Sequence, residues 1–218
     1  MNIKDLIKKI LRKNGKTDFL SKLNSNSSIL DIGCGNNSPF NTKKILPNCN
    51  YTGIDIGNYN QTKPFLADKY ILTTPQNFSN EIKKFHKIFD AVISSHNLEH
   101  CIDRKSTLKA MLGALKIGGK LFLSFPCEQS INFPKRGGTL NYYEDLTHKL
   151  SPPNFIEIVT SIKKEMFEIE YAEKNYSPTI LHLIGLACEP LSKLTNKNML
   201  GTWEYYGFES IIIAKKIN

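Results

Sequence analysis

Ile29-Leu30-Asp31-Ile32-Gly33-Cys34-Gly35-Asn36-Asn37 is the stretch on which the fold turns. A short apolar run carrying one acid passes directly into Gly-x-Gly. In a doubly wound sheet, ligands sit beyond the carboxyl ends of the strands, and glycines there let backbone approach a ligand without a Cβ in the way. A dinucleotide fingerprint requires a third glycine and places a pyrophosphate on the following helix. Here Asn or Ser occupies that position. Asp31 would repel a pyrophosphate but suits the ammonium of an amino acid.

Working outward, Tyr51-Thr52-Gly53-Ile54-Asp55 reads as a second strand that also ends in an acid, 24 residues after Asp31. That interval fits one strand–helix–strand unit, and a carboxylate at this point can accept hydrogen bonds from both ribose hydroxyls. An amino-acid end plus a ribose, without phosphates, describes S-adenosylmethionine. Further strands are expected at Ser28–Ile32, Lys69–Thr73, Phe89–Ser95, Lys120–Phe125, Phe167–Ala172 and Phe208–Lys215. Helices are expected over Pro75–Phe85, over Lys105–Lys116 with Gly118-Gly119 as its stop, and from a Ser151-Pro152-Pro153 cap to about Lys164. Strands alternating with helices imply a mostly parallel sheet covered on both faces. One domain over residues 1–218 is expected, with insertions at about 127–150 (irregular) and 174–206 (one or two short helices).

The 218 residues suffice for one core, and 40% hydrophobic with 22% charged residues excludes a disordered chain. No apolar run reaches the roughly 18 residues of a membrane span. The start, MNIKDLIKKILRKNG, interleaves charge with apolar residues and lacks a signal-peptide core, so the cytoplasm is the expected location. Residues 3–13 place Ile3, Leu6, Ile7, Ile10 and Leu11 on one helical face. That face is expected to pack on its own domain, with peripheral membrane contact as the alternative. Five scattered cysteines, none in a C-x-x-C pair, argue against a disulfide framework or zinc knuckle and for buried thiols. The net charge of +9 comes from 29 basic residues of which only Arg12, Arg104 and Arg136 are arginine. Base reading favours arginine, so no sequence-specific nucleic-acid partner is expected. The oligomeric state is left open.

The segments DIGCGNN, YTGIDIG, FDAVISSHNLEHC and LKIGGKLFLSFP, across residues 27–126, resemble the successive motifs of class I S-adenosylmethionine-dependent methyltransferases. The resemblance implies a Rossmann-like, doubly wound, seven-stranded, mostly parallel α/β sheet with an antiparallel last strand. It implies that Asp31, Gly33, Cys34 and Gly35 line the methionine portion, that Asp55 holds the ribose and that Ile56 packs on the adenine. Thr74 and Phe78 are adenine-pocket candidates. Ser95 and His96 would sit beside the methionine amine and the sulfonium.

Methyl transfer from a sulfonium is an in-line displacement in which positioning and desolvation matter. A hydroxyl acceptor also needs a base or a metal, whereas an amine need only be neutral. Two clusters can supply a base. Glu99 and His100 lie just beyond the fourth strand. Asp145 and His148, three apart, follow the fifth in a loop with Tyr142, Tyr143 and a Gly137-Gly138 pair that can act as a hinge. Asp145 and His148 suit a carboxylate-oriented imidazole base or a place in a metal site; the base is the expectation, and no metal is assigned. Tyr142 and Tyr143 could stack on a sugar or other ring. SSHNLEHC, LSFPCE, FPKRGGTLNYYEDLTH and GTWEYYGFESII further resemble bacterial methyltransferases associated with surface-polysaccharide biosynthesis. This implies O-methylation of a sugar or other small molecule. The alternatives are a macromolecular acceptor, nucleic acid or protein, and a non-catalytic binding module. Ser-Ser-His-Asn-Leu stands where base-amino methyltransferases carry Asn/Asp-Pro-Pro-aromatic, which argues against a nucleic-acid acceptor.

Overall fold

Strand β1 (Ser28–Ile32) is fully covered from Ile29 onward, and its neighbours are covered too. The structure, a computed structural model, describes residues 3–218, with side chains from Leu6 onward. β1 pairs in parallel with β2 (Asn50–Asp55) and with β4 (Phe89–Ser95). β3 (Lys69–Leu72) forms one edge beside β2, and β5 (Leu115–Pro126) extends the sheet beyond β4. β6 (Phe167–Glu173) and β7 (Glu209–Lys216) complete the order β3-β2-β1-β4-β5-β7-β6. β7 runs antiparallel to both β5 and β6, as the resemblance implies for the last strand.

Successive strand residues point to opposite faces, so two cores form. Leu30, Ile32, Val92, Leu121, Leu123 and Ile212 pack with Met111 and Leu108 on one side. Ile29, Tyr51, Ala91, Ile93, Phe122 and Ile211 pack with Phe19 and Leu20 on the other. The helices supplying these contacts include α2 (Lys16–Ser21), α4 (Phe78–Lys83), α5 (Arg104–Ala114) and α6 (Phe155–Lys164). α3 (Ser38–Ile45) connects β1 to β2.

Three expectations are corrected. α5 ends at Ala114, not at Lys116: Lys87 and Ile88 donate backbone hydrogen bonds to Gly113 and Ala114, and Leu115 already pairs with Phe89 in the sheet. Gly118, at φ +79°, therefore turns the strand rather than stopping the helix. α6 is capped by Asn154, whose side chain accepts the Glu157 N–H at 2.9 Å, while the Ser151 carbonyl serves Arg104. Finally, the apolar face of α1 (Ile3–Leu11) stays exposed at Leu6, Ile7 and Ile10 rather than packing on the domain. The expected role of Ile3 lies outside the described side chains.

The second insertion folds as α7 (Thr179–Thr195) followed by α8 (Thr202–Tyr206). They meet backbone to backbone, since a Cβ on Gly185 would lie 2.0 Å from the Gly201 carbonyl oxygen. The first insertion carries short 3-10 turns at Glu128–Asn132 and Tyr142–Glu144. Arg136 ties it to α7 through a buried two-pronged pair with Glu189, 2.7 Å on each arm, and a bond to Ser192. Gly137 and Gly138 are pinned by Asn196 and Asn198, so this pair is a docking point and not the hinge expected of it. Among the described residues no helix is long and apolar enough to cross a membrane.

Candidate active site

The carboxyl ends of β1, β2 and β4 open onto two adjoining cavities. The larger, about 320 Å³, is lined from the first two strands by Gly33, Gly35, Asp55, Ile56 and Tyr59. His96, Asn97 and His100 enter it from the end of β4, and Asp145 and Thr147 from the first insertion. The smaller, about 230 Å³, shares Ile56, Asn97 and His100 and adds Phe78, Pro75 and Ile102.

Gly33 sits at φ +72°, and a Cβ there would strike the Asn97 side chain at 2.4 Å, so glycine is required for this approach. Asp55 accepts the Ile56 N–H at 2.7 Å. Burial raises its pKa, although backbone N–H groups of Ile56, Gly57 and Gly35 oppose the rise. Asp31 stands one layer back. Its Oδ2 accepts from Lys16 (3.2 Å), Ser38 (2.5 Å) and Tyr51 (2.8 Å), and its Oδ1 is buried without a partner among the described residues. Cys34 is also behind the lining, its sulfur packed against Gly53. Burial, with Asp31 and Asp55 nearby, pushes its thiol far up, so it stays neutral. Thr74 is exposed and outside both linings, its hydroxyl meeting the Asn77 N–H. Ser95 pairs with Ser124 at 3.1 Å. So Gly33, Gly35, Asp55, Ile56, Phe78 and His96 reach the cavities, whereas Asp31, Cys34, Thr74 and Ser95 do not line them.

His96 lies between two carboxylates, Nε2 at 3.0 Å from Glu209 and Nδ1 at 3.4 Å from Glu99. Burial works against its proton, but the hydrogen bonds to Glu209 and Glu99 outweigh it and raise the pKa to about 10. Its ring lies parallel to Phe208 and beside Trp203. Burial likewise opposes the charge on Glu209, yet Arg12 and His96 bring it down to about 2. Glu209, 113 residues from His96, was not singled out by sequence reasoning and carries no local signal. Tyr59, Asn97 and Lys16 were missed too; Asn97 lies inside the quoted FDAVISSHNLEHC and Tyr59 just after YTGIDIG, so position beside a strand end was their only cue.

The two base clusters meet. The His100 and His148 rings are 4.6 Å apart, and burial lowers the pKa of His100. The expected orienting of His148 by Asp145 is corrected: their nearest atoms are 4.0 Å apart, beyond a hydrogen bond. His148 is instead fixed by the Tyr142 carbonyl at 2.5 Å and by the Tyr142 ring at 4.0 Å. Asp145 is occupied by Thr147, whose N–H and hydroxyl both donate to Oδ1. Tyr142 is buried and cannot stack on an acceptor, while Tyr143 is exposed.

These cavities fit S-adenosylmethionine. The polar one offers glycine backbone and the carboxylates of Asp55 and Asp145, the apolar one the hydrophobic side chains of Ile56, Pro75, Phe78 and Ile102. Among the described residues no lysine or arginine lines the polar cavity, and the positive charge that His96 brings to it is already paired with Glu209, which leaves little to hold a phosphate. The family described as "Methyltransferase domain" matches residues 4–168. The chain belongs to this methyltransferase family. The methyl donor of its domain is S-adenosylmethionine. An uncharacterised protein of Methanocaldococcus jannaschii is 28% identical over 167 residues, 71% of this chain and 44% of that protein. The chain therefore spans less than half the length of this curated relative. In fold it is similar to the methyltransferase of a Haloferax volcanii complex with the Trm112 methyltransferase activator (TM-score 0.66, 10% identity, 99% and 94% of the two chains covered). It is also similar to Haemonchus contortus phosphoethanolamine N-methyltransferase 2 in complex with S-adenosyl-L-methionine (TM-score 0.60, 16% identity, 99% and 52% covered).

Proposed function

We propose that this methyltransferase acts on a hydroxyl group of a small polar acceptor of the sugar class, as a cytoplasmic step in glycan assembly. One observation carries the reading: Glu99, His100, Asp145 and His148, from two distant segments, converge where the acceptor would meet the methyl group. An amine acceptor needs no such group, whereas a hydroxyl must give up a proton. The exposed Tyr143 beside this cluster offers a ring on which a sugar can stack, and the resemblance of the surrounding segments to polysaccharide-associated methyltransferases supports the same class. Asp55 would hold the ribose and Phe78 the adenine. Asp31 would act through Lys16, Ser38 and the glycine turn.

The test is turnover of labelled S-adenosylmethionine against nucleotide sugars and, in parallel, small amines. An alkali-stable methyl ether on a sugar is expected. His100→Ala and His148→Ala should each lower turnover by about a hundred- to ten-thousand-fold, with His148→Ala leaving S-adenosylhomocysteine affinity unchanged. Label appearing in amines alone would overturn the reading.

A further inference from the structure

Three side chains at the acceptor end each keep one donor atom free. Glu99 is 2% exposed; its Oε1 faces His96, and its Oε2 is buried with no hydrogen-bond partner among the described residues. The Thr147 hydroxyl gives its proton to Asp145 at 2.5 Å, so at His100, 2.9 Å away, it can only accept from Nδ1–H. The Tyr142 carbonyl likewise accepts from His148 Nδ1–H. In both neutral rings the lone pair is thereby left on Nε2. Fixing the tautomer through the other ring nitrogen is how metal-binding histidines are oriented. One donor atom from each of Glu99, His100 and His148 lies within 4.8 Å of the other two.

We propose that Glu99, His100 and His148 bind a divalent transition metal of the zinc class at the acceptor end of the cavity. Two imidazoles and one carboxylate form a set that leaves coordination positions open for a substrate. Tetrahedral ligation at about 2.1 Å brings donor atoms to about 3.4 Å from one another, a closing movement of about an ångström between His148 on its loop and the Glu99–His100 turn. The buried Glu99 oxygen gives the ion a ligand that no other group among the described residues claims. The site stands on this geometry; its part in catalysis rests on the hydroxyl reading above. A hydroxyl bound to the ion becomes more acidic and passes its proton to Asp145 and then to solvent. Its oxygen forms the new C–O bond as the C–S bond breaks, giving a methyl ether, S-adenosylhomocysteine and one proton.

The experiment uses the full chain, stripped with a chelator and titrated with Co2+ in the absence of acceptor. One ion per chain is expected, with visible absorption of nitrogen- and oxygen-ligated Co2+ that Zn2+ displaces. Affinity should fall at least tenfold in His148→Ala and in His100→Ala and hold in His86→Ala, an exposed histidine elsewhere. S-adenosylhomocysteine should still raise the melting temperature of His148→Ala, showing that this variant is folded. No saturable binding, binding unchanged in both variants, or a near-ultraviolet thiolate band placing the ion on a cysteine would overturn the site. Undiminished hydroxyl methylation by the stripped chain would overturn its catalytic part. Stoichiometric binding in a chain that methylates only amines supports the site and sinks the hydroxyl reading instead.

Discussion

On the β1–β2 side of the cavity the chain presents mostly backbone, Gly33 and Gly35 at strand ends with Asp55 beside them. On the acceptor side it presents side chains held from far along the sequence: α7 holds the loop through Arg136, and β7 holds His96 through Glu209. The first side is built by neighbours in sequence and by sheet pairing. The second depends on a few long-range polar contacts, each of which can be removed singly. The difference predicts where substitutions act: acceptor-side ties set stability and loop position, and cofactor-side groups set affinity.

The largest effect is expected at Arg136. Removing one partner of a buried ion pair costs about 3–5 kcal/mol, because the other charge stays buried. Arg136→Ala leaves Glu189 in that position. A fall in melting temperature of about 10 °C is expected, with S-adenosylhomocysteine affinity at low temperature within about threefold of the parent. If affinity falls in step with stability, the two sides form one unit and the contrast breaks.

Next is Asp55, where the ordering reverses. Asp55→Asn keeps one acceptor oxygen and loses one hydrogen bond to a charged acceptor, worth about 1.5–3 kcal/mol, so it should weaken S-adenosylhomocysteine by about ten- to a hundredfold in calorimetry. The unliganded chain should gain stability. Burial raises the Asp55 pKa in the folded state, so ionisation at neutral pH favours unfolding, and that penalty vanishes once pH falls below about 3.8. Asp55→Asn should therefore melt above the parent at pH 7 and converge with it toward pH 4. A variant that melts lower at pH 7 would mean the carboxylate is a structural group.

That contrast also marks what the sequence could disclose. Asp55, Ile56 and His96 were legible as residues of the cavity lining because strand ends are fixed by local pattern, and a doubly wound sheet gathers strand ends in one place. Asp31 was placed correctly on its strand but assigned the wrong neighbours. Nothing local announces that Lys16, Ser38 and Tyr51 will occupy it. The acceptor side was legible only as a loop rich in functional groups. That His148 takes its orientation from Tyr142 depends on a backbone turn, and the Arg136–Glu189 pair spans 53 residues. The misplaced end of α5 has the same origin, a sheet pairing that overrode a helix-stop pattern.

Glu209 lies where the two sides join, and its pH response should run opposite to that of Asp55. It faces Arg12 and His96, with Glu204 sharing Arg12 and Tyr176 nearby. Its folded pKa of about 2 lies below the ordinary 4.5, so its contribution is complete above pH 4.5 and is lost as pH falls toward 2. Glu209→Gln should destabilise at pH 7 and approach the parent at pH 2–3 in acid-titrated thermal melts. A stability difference independent of pH would assign Glu209 a packing role alone.

The smallest effect tests the base of the acceptor side. Asn154 caps α6 by accepting the Glu157 N–H and also donates to Glu128 at 2.8 Å, joining the helix start to the first insertion. Losing an N-cap side chain costs about 1 kcal/mol, so Asn154→Ala should lower the melting temperature by about 2–4 °C. Ser151→Ala, three residues earlier, removes a side chain with no cap role, because Ser151 contributes only its carbonyl to Arg104. Its effect should stay within about 0.5 kcal/mol. Neither change touches the cavities, so S-adenosylhomocysteine affinity should hold in both. Equal destabilisation by the two substitutions would put the cap at Ser151, where the Ser-Pro-Pro pattern places it. A loss of cofactor affinity in Asn154→Ala would show that the base of the acceptor side reaches the donor site, which its hydrogen bonds do not.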